Sequence, residues 1–280
     1  MKMNGVSELF GINVSFLSQQ DKKSVENQSC PYTKKECSKM RKSYPQEKIG
    51  VCSVKYRSKD VVICPNRFLE DNTIFKDCVP LLSKTQIDDE IFVIPEVVLP
   101  EGQIDFILSL TNKKTIENFV GVEVQSVDTT GSVWDERQKL LIEHGLIKKT
   151  SPLVGKTYGL NWKMTVKTIL VQMLHKCRIF EKLNKHLVLV IQKSLFNYML
   201  ENFNLTDINI DDKNGFIHLH IYDLVNENNS LKLTLFAKKR TNSATIERCI
   251  LPSNNKKSDL SPIKKILESR VNKANTSFLL

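Results

Sequence analysis

Residues 186–192 read HLVLVIQ. Successive side chains of a strand point to opposite faces, and here both faces are apolar. Such a segment belongs in the middle of a sheet that is covered on each side. It follows residues 160–178, LNWKMTVKTILVQMLHKCR, where Trp162, Val166, Ile169, Leu170, Met173, Leu174 and Cys177 recur at three- and four-residue steps. That is the period of a helix with one buried face. Upstream, FVGVEVQSV (119–127) has the composition of a strand. Strand, helix and buried strand make a βαβ crossover, so the fold class is α/β.

The other elements are read around that unit. QIDFILSL (103–110) is a strand, joined to 119–127 by the polar connection TNKKTIEN (111–118), long for a hairpin loop. IFVIPEVVLPEG, with two prolines, is a strand or extended segment with a turn at 100–102. Residues 4–20 have the look of a short helix. Residues 132–145 are a helix opened by Ser132 and closed by Gly145. SLFNYMLENF is another short helix. GFIHLHIYDLV (215–225) and SLKLTLFAKKR (230–240) alternate and are expected as edge strands with a wet face, His218, His220 and Tyr222 sharing one side. A terminal helix is expected with Ser261 as N-cap and Pro262 at its first position. Trp162 reads as a core anchor rather than a base-stacking platform.

Charge narrows the partners. The chain carries 41 Lys and Arg against 31 Asp and Glu, a net +10. Between Lys22 and Lys59 there are eleven basic residues and only three acidic ones, Glu26, Glu36 and Glu47. A patch of that kind attracts polyanions, nucleic acid first among them. Lys34, Lys35, Lys39, Arg41 and Lys42 are its candidate contacts. Asn161 and Lys163 join them at the start of the long helix, where backbone amides meet phosphate. No stretch approaches the ~18–20 apolar residues of a membrane helix. The first residues, MKMNGVSELFGINVSF, lack the apolar core of a secretory signal, so a cytoplasmic protein is expected.

The same basic stretch holds Cys30, Cys37, Cys52 and Cys64, spaced C-x6-C-x14-C-x11-C. In a reducing compartment four thiolates suit a tetrahedral zinc or iron site better than disulfides. Prolines after Cys30 and Cys64, and Gly50-Val51 before Cys52, provide turns that gather ligands. Cys78 is a possible substitute ligand. The alternative is four small core residues.

Two carboxylates and an amide remain. Glu123 and Gln125 interrupt an otherwise greasy strand and share one face of it. The centre of the 111–118 connection lies near residue 114.5, so a symmetric antiparallel pair brings Asp105 opposite residue 123 or 124. Two carboxylates that converge in a sheet repel unless a cation joins them, and Mg²⁺ favours oxygen ligands of this kind. Gln125 cannot act as a base but can orient a water.

An Asp near a strand start, E-x-K or a variant on the next strand, then helix and strand, resembles the PD-(D/E)XK nuclease core. More narrowly, the chain resembles NotI-type type II restriction endonucleases. The residues that carry the likeness are IPEVVLPEGQIDFIL (94–108), FVGVEVQSVDTTGS (119–132), GLNWKMTVKTILVQMLHKC (159–177), HLVLVIQ (186–192) and the cysteine set. That family has Gln where most relatives have Lys, and a four-cysteine metal fold reported as iron. The resemblance implies an αβββαβ core with a mixed sheet, Mg²⁺-dependent cleavage of duplex DNA and a homodimer on a symmetric site. Asp105 and Glu123 would then hold Mg²⁺, Gln125 would position the water, and Glu96 would be the additional acidic residue. The chain divides accordingly into an N-terminal helix and four-cysteine metal-binding module (1–75), a catalytic core (76–205) and C-terminal strands with a terminal helix (206–280). The rival expectation is a non-catalytic DNA-binding protein with a structural metal.

Overall fold

The structure is a computed structural model. It describes residues 4–41, 44–82, 89–99, 102–113, 115–148, 157–203 and 215–250, together with 261, 264, 265, 267 and 268. The chain opens as sheet rather than helix. β1 (Asn4–Leu9) and β2 (Ile12–Asn13) are antiparallel, with Glu8 opposite Asn13 and Leu9 opposite Ile12. The two residues between them, Phe10 and Gly11, both have positive φ, 49° and 77°, as a tight hairpin turn requires. A helical reading of 4–20 misses that turn. After the short α1 (Lys22–Glu26) come β3 (Met40–Arg41), β4 (Tyr44–Lys48), β5 (Val51–Tyr56) and β6 (Lys59–Val62). Strands in the order β2-β1-β5-β6 form an antiparallel sheet.

A 3-10 segment (Pro65–Asn72) and α2 (Thr73–Lys76) lead to the main sheet. Its first three strands, β7 (Asp89–Leu99), β8 (Gly102–Asn112) and β9 (Thr115–Gln125), form an antiparallel meander. The polar residues 111–118 are mostly strand, not an eight-residue loop. Asn112 already pairs with Thr115, Lys113 turns at φ 45°, and β-branched Thr111, Thr115 and Ile116 extend the ladder. Then follow β10 (Thr129–Thr130), α3 (Trp134–Glu143), β11 (Gly159–Leu160), α4 (Trp162–Lys182), β12 (His186–Gln192), α5 (Lys193–Asn202), β13 (Ile217–Glu227), β14 (Ser230–Thr241) and α6 (Ser243–Ile250). Ser132 does open α3, its Oγ accepting from the Trp134 N–H at 3.1 Å.

The sheet order is β14-β13-β12-β9-β8-β7, with β12 parallel to β9 and to β13 and the other pairs antiparallel. The result is a mixed α/β fold with the expected crossover β9–α4–β12. β13 is interior, not an edge: its first six residues are buried between β12 and β14. One face, with Leu187, Leu189 and Ile191, packs on Val166, Ile169, Leu170, Met173 and Phe180 of α4. The other, with Val120, Val122, Val188 and Val190, packs on Phe68, Ile74, Phe75 and Cys78. That second cover had no assignment in the sequence. At the sheet's far edge, β7 leaves Ile91, Phe92, Val93, Ile94 and Val98 exposed.

A buried ion pair joins the two sheets. Arg67 and Glu8 are both 0% exposed. Arg67 Nε donates to both Glu8 oxygens at 2.9 Å, and its second terminal nitrogen donates to the Leu231 carbonyl on β14 at 2.6 Å. Ser53 Oγ donates to Glu8 at 2.6 Å, and Tyr32 lies with its ring 4.9 Å from the guanidinium carbon. Gln192 makes a second link, donating to the Asp60 carbonyl at 2.6 Å and accepting from the Val62 N–H at 2.8 Å.

Residues Met1–Ile250 form one compact unit and Leu251–Leu280 another. In the second, Ser261, Lys264, Lys265, Leu267 and Glu268 are helical, and Pro262 lies outside the described residues. No helix among the described residues is long and apolar enough to cross a membrane.

Candidate active site

Asp105 and Glu123 come from the middle strands of the meander. The β8–β9 ladder ends with Ile107 opposite Gly121 and Phe106 opposite Val122, and Asp105 and Glu123 come next beyond that end. The two are tied reciprocally. The Val124 N–H donates to Asp105 Oδ2 at 2.8 Å, and the Glu123 carboxylate accepts from the Asp105 N–H. Glu123 is buried on the face covered by α4, and Asp105 is half-buried beside it. Gln125 shares that face, half-exposed, with its amide donating to the Ser126 carbonyl at 2.8 Å.

The cation already present is a lysine. Lys176 of α4 is 9% exposed, and its Nζ donates to Glu123 Oε1 at 2.7 Å. Burial pushes the Glu123 carboxyl up to about 7; the Lys176 bond opposes the rise and the charge of Asp105 adds to it. The helix can lie this close because β9 has Gly121 beneath it: a Cβ there would sit 2.5 Å from Phe180 Cζ. Lys176 escaped the sequence reading, although the signal was present. It falls three residues after Met173 and seven after Ile169, a charge on the apolar line of an otherwise regular helix.

Glu96 sits on the edge strand. Pro95 pairs with Phe106 and Val97 with Ile104, which leaves Glu96 opposite Asp105. Its φ is 53°, a left-handed conformation unusual for a glutamate within a strand. It is exposed, as a third acidic group at the mouth of the site would be.

The basic candidates separate. Lys34, Lys35 and Lys163 are exposed. Lys39 is half-buried, its ammonium donating to the Ile63 carbonyl. Arg41 lies with its guanidinium carbon 5.4 Å from the Trp134 ring centroid, and Lys42 lies outside the described residues. Asn161 caps the start of α4, its N–H donating to the Asp128 carbonyl at 2.8 Å, which ties α4 to the chain just beyond β9.

Cys30, Cys37, Cys52 and Cys64 are all buried. Cys64 N–H donates to the Cys52 carbonyl at 3.2 Å, and burial raises the Cys64 thiol, with Cys37 and Cys30 close enough to add to the rise. Burial likewise holds Cys52 well above its usual value, with Glu8 and Cys64 adding. The four are thus neighbours, and their type and burial suit a thiolate-bound metal. The expected cage is nevertheless not drawn together: among the described residues no three His, Cys, Asp or Glu side chains are grouped to hold one ion. All four thiols are buried, Cys30 and Cys37 among the apolar residues under β1 and β5. Cys78 is no substitute ligand; its sulfur lies on the far face of the main sheet, 3.9 Å from His220 Nδ1.

A search of curated proteins finds no match to the chain. A family model described as restriction endonuclease NotI matches residues 16–235, which leave out β1, β2 and the end of β14 but include the rest of the main sheet, Asp105, Glu123, Gln125 and Lys176. With that match over most of its length, the chain belongs to the NotI restriction endonuclease family, whose members are site-specific deoxyribonucleases.

Proposed function

We propose that the chain is a type II restriction endonuclease that hydrolyses phosphodiester bonds of duplex DNA in a Mg²⁺-dependent reaction, on a PD-(D/E)XK-type core. The observation that carries this reading is the meeting of Asp105 and Glu123 at one place in the sheet, the Asp105 carboxylate accepting from the Val124 N–H and the Glu123 carboxylate from the Asp105 N–H. Two carboxylates suffice for Mg²⁺, which keeps much of its water shell. Asp105 and Glu123 would hold the ion, with Glu96 as the additional acid. When bound it lowers the pKa of a water and neutralises charge on the phosphoryl group.

The residues of this chain supply the rest. Gln125 donates and accepts hydrogen bonds without taking a proton, so it orients the attacking water. Lys176 provides the positive charge that an E-x-K lysine would bring, delivered from the helix instead of the strand. Attack in line forms a bond from water oxygen to phosphorus and breaks the bond to the 3′ oxygen, which takes a proton. The products are a 5′-phosphate and a 3′-hydroxyl. Lys34, Lys35, Lys39, Arg41, Lys42, Asn161 and Lys163 would follow the DNA backbone, and two copies would face a symmetric site. In this reading residues 1–75 are a basic metal-bearing module, 76–205 the catalytic core and 206–280 its completion, and the enzyme works in the cytoplasm.

Plasmid DNA incubated with the protein and Mg²⁺ tests the proposal: discrete fragments are expected. A smear would mean a nuclease without sequence preference, and intact plasmid a binding protein. Lys176→Met, which keeps the apolar stem, is expected to slow cleavage about 10²-fold, the usual cost of one electrostatic donor at a reacting centre. Removing the cation of a buried pair also lowers the melting temperature, so rates are compared where the variant is folded; a wild-type rate there would remove Lys176 from the site. Elemental analysis of the purified protein is expected to find one zinc or iron per chain, held by Cys30, Cys37, Cys52 and Cys64. A folded, metal-free protein would leave these cysteines as core residues.

A further inference from the structure

A second cavity lies apart from the carboxylates. α4 and α5 begin near the C-terminal ends of the parallel strands β9 and β12, and the β5–β6 hairpin is held to that end by Gln192. Crevices beyond the C-terminal ends of parallel strands are common ligand sites. The cavity here has a volume of about 390 Å³, within the range of small-molecule sites. Trp162, Tyr198 and Tyr56 line it, and all three rings are half-buried. Trp162 and Tyr198 are stacked, with centroids 5.7 Å apart and planes 28° apart, and Tyr56 lies 5.9 Å from Trp162.

The polar groups around the rings are unevenly satisfied. Ser194 Oγ lines the cavity, is buried, and has no hydrogen-bond partner. A buried hydroxyl of that kind calls for a ligand. Asn197 adds an amide, which can both donate and accept. Arg57 and Lys59 are exposed and belong to the same lining, two cations against the one exposed carboxylate of Glu201. Arg57 and Ser58 make the hairpin turn with φ of 45° and 66°, a conformation Asn and Gly adopt at lower cost. The sequence places an arginine there regardless, with its guanidinium carbon 5.4 Å from the Tyr56 ring centroid.

Flat aromatic walls, an amide with both hydrogen-bonding senses and flanking cations are the three groups that recognise a nucleotide outside a base stack. We infer that this cavity binds one unstacked nucleobase with its sugar phosphate: the base against the aromatic wall, its edge on Asn197 and Ser194, the phosphate on Arg57 and Lys59. The nucleotide is either a unit of a DNA strand or a free one. Trp162 then serves as a stacking platform as well as a core anchor. None of this depends on Asp105, Glu123 or cleavage, so it stands or falls separately from the nuclease reading.

The test is equilibrium binding to the full chain without added magnesium, read by tryptophan emission and calorimetry. The probes are the four deoxynucleoside monophosphates, deoxyribose 5-phosphate, and a short single strand carrying 2-aminopurine. The monophosphates are expected to bind and quench emission, and the base-free sugar phosphate to bind far more weakly. Tyr198→Ala should weaken nucleotide binding about tenfold, the loss of one stacking ring, while Tyr198→Phe keeps it. A 2-aminopurine signal that Tyr198→Ala abolishes assigns the site to a nucleotide within a strand. Binding of monophosphates with a strand signal that Tyr198→Ala leaves unchanged assigns it to a free nucleotide. Asn197→Ala, on the rim, serves the same purpose if Tyr198→Ala does not fold. The inference is overturned if the variants bind every probe as the wild type does, or if the sugar phosphate binds as tightly as the nucleotides.

Discussion

Asp105→Asn and Glu123→Gln are each expected to reduce DNA cleavage by roughly 10³-fold or more, because a ligand to the charge-neutralising ion is worth several kcal/mol at the reacting phosphorus. Both replacements keep the size and planarity of the side chain. In the Asp105→Asn variant the amide oxygen can still accept from the Val124 N–H, so the strand ladder should hold. DNA binding is therefore expected to survive, measured by gel shift without magnesium. The loss should appear in single-turnover cleavage, where it cannot be mistaken for slow product release. Cutting by either variant at near the wild-type rate would refute the assignment of the site. Gln125 lies two residues beyond Glu123 in the same strand; in the proposed mechanism it orients a water, so it is not expected to match the carboxylates in effect.

Arg67→Met should produce a large loss of stability, because Arg67 is a fully buried charge. Removing one partner of a buried ion pair costs about 3–5 kcal/mol, since the other charge is left uncompensated. In a domain of this size that corresponds to a fall of roughly 6–20 °C in melting temperature. Glu8 is that other charge. Burial raises its carboxyl above the usual range, against the pull of Arg67 and of the Ser53 hydroxyl. The variant also loses the bond to the Leu231 carbonyl on β14, so the N-terminal sheet and the main sheet loosen together. Glu8→Gln combined with Arg67→Met should recover part of the loss, because the stranded charge is gone. Additive effects of the two changes would show that the pair is not coupled in this way.

How much of this could be read beforehand differs from element to element. The unit β9–α4–β12 was legible because its periodicities are strong and its central strand is apolar on both faces. The meeting of Asp105 and Glu123 was legible for a subtler reason. The loop between their strands is much shorter than the polar residues 111–118 suggest, but it shortens from both sides, so its centre and hence the pairing barely move. The N-terminal strands were not legible, because the hairpin depends on Phe10 adopting a positive φ that only its glycine neighbour advertises. β13 looked wet because of His218 and His220. Burial keeps both rings uncharged, pulling their pKa values down to about 3 and about 4, so they pack as half-apolar groups, His218 beside His186 at 3.0 Å. Lys176 was missed because a period-based reading scores the greasy positions of a helix and passes over the one charge among them. The spacing of the cysteines was visible, but the way their side chains pack was not.

The outer edge of the main sheet has its own implication. A strand with a neighbouring strand on one side only among the described residues, and with Ile91, Phe92, Val93 and Ile94 exposed, is a template on which a like strand can grow. Pro95 has no N–H to offer, and Glu96 just after it has a left-handed φ of 53° within the strand. Pairing by a newcomer is therefore interrupted at Pro95. That interruption falls opposite Phe106, next to Asp105, so the strand break and the proposed site share one stretch of the edge.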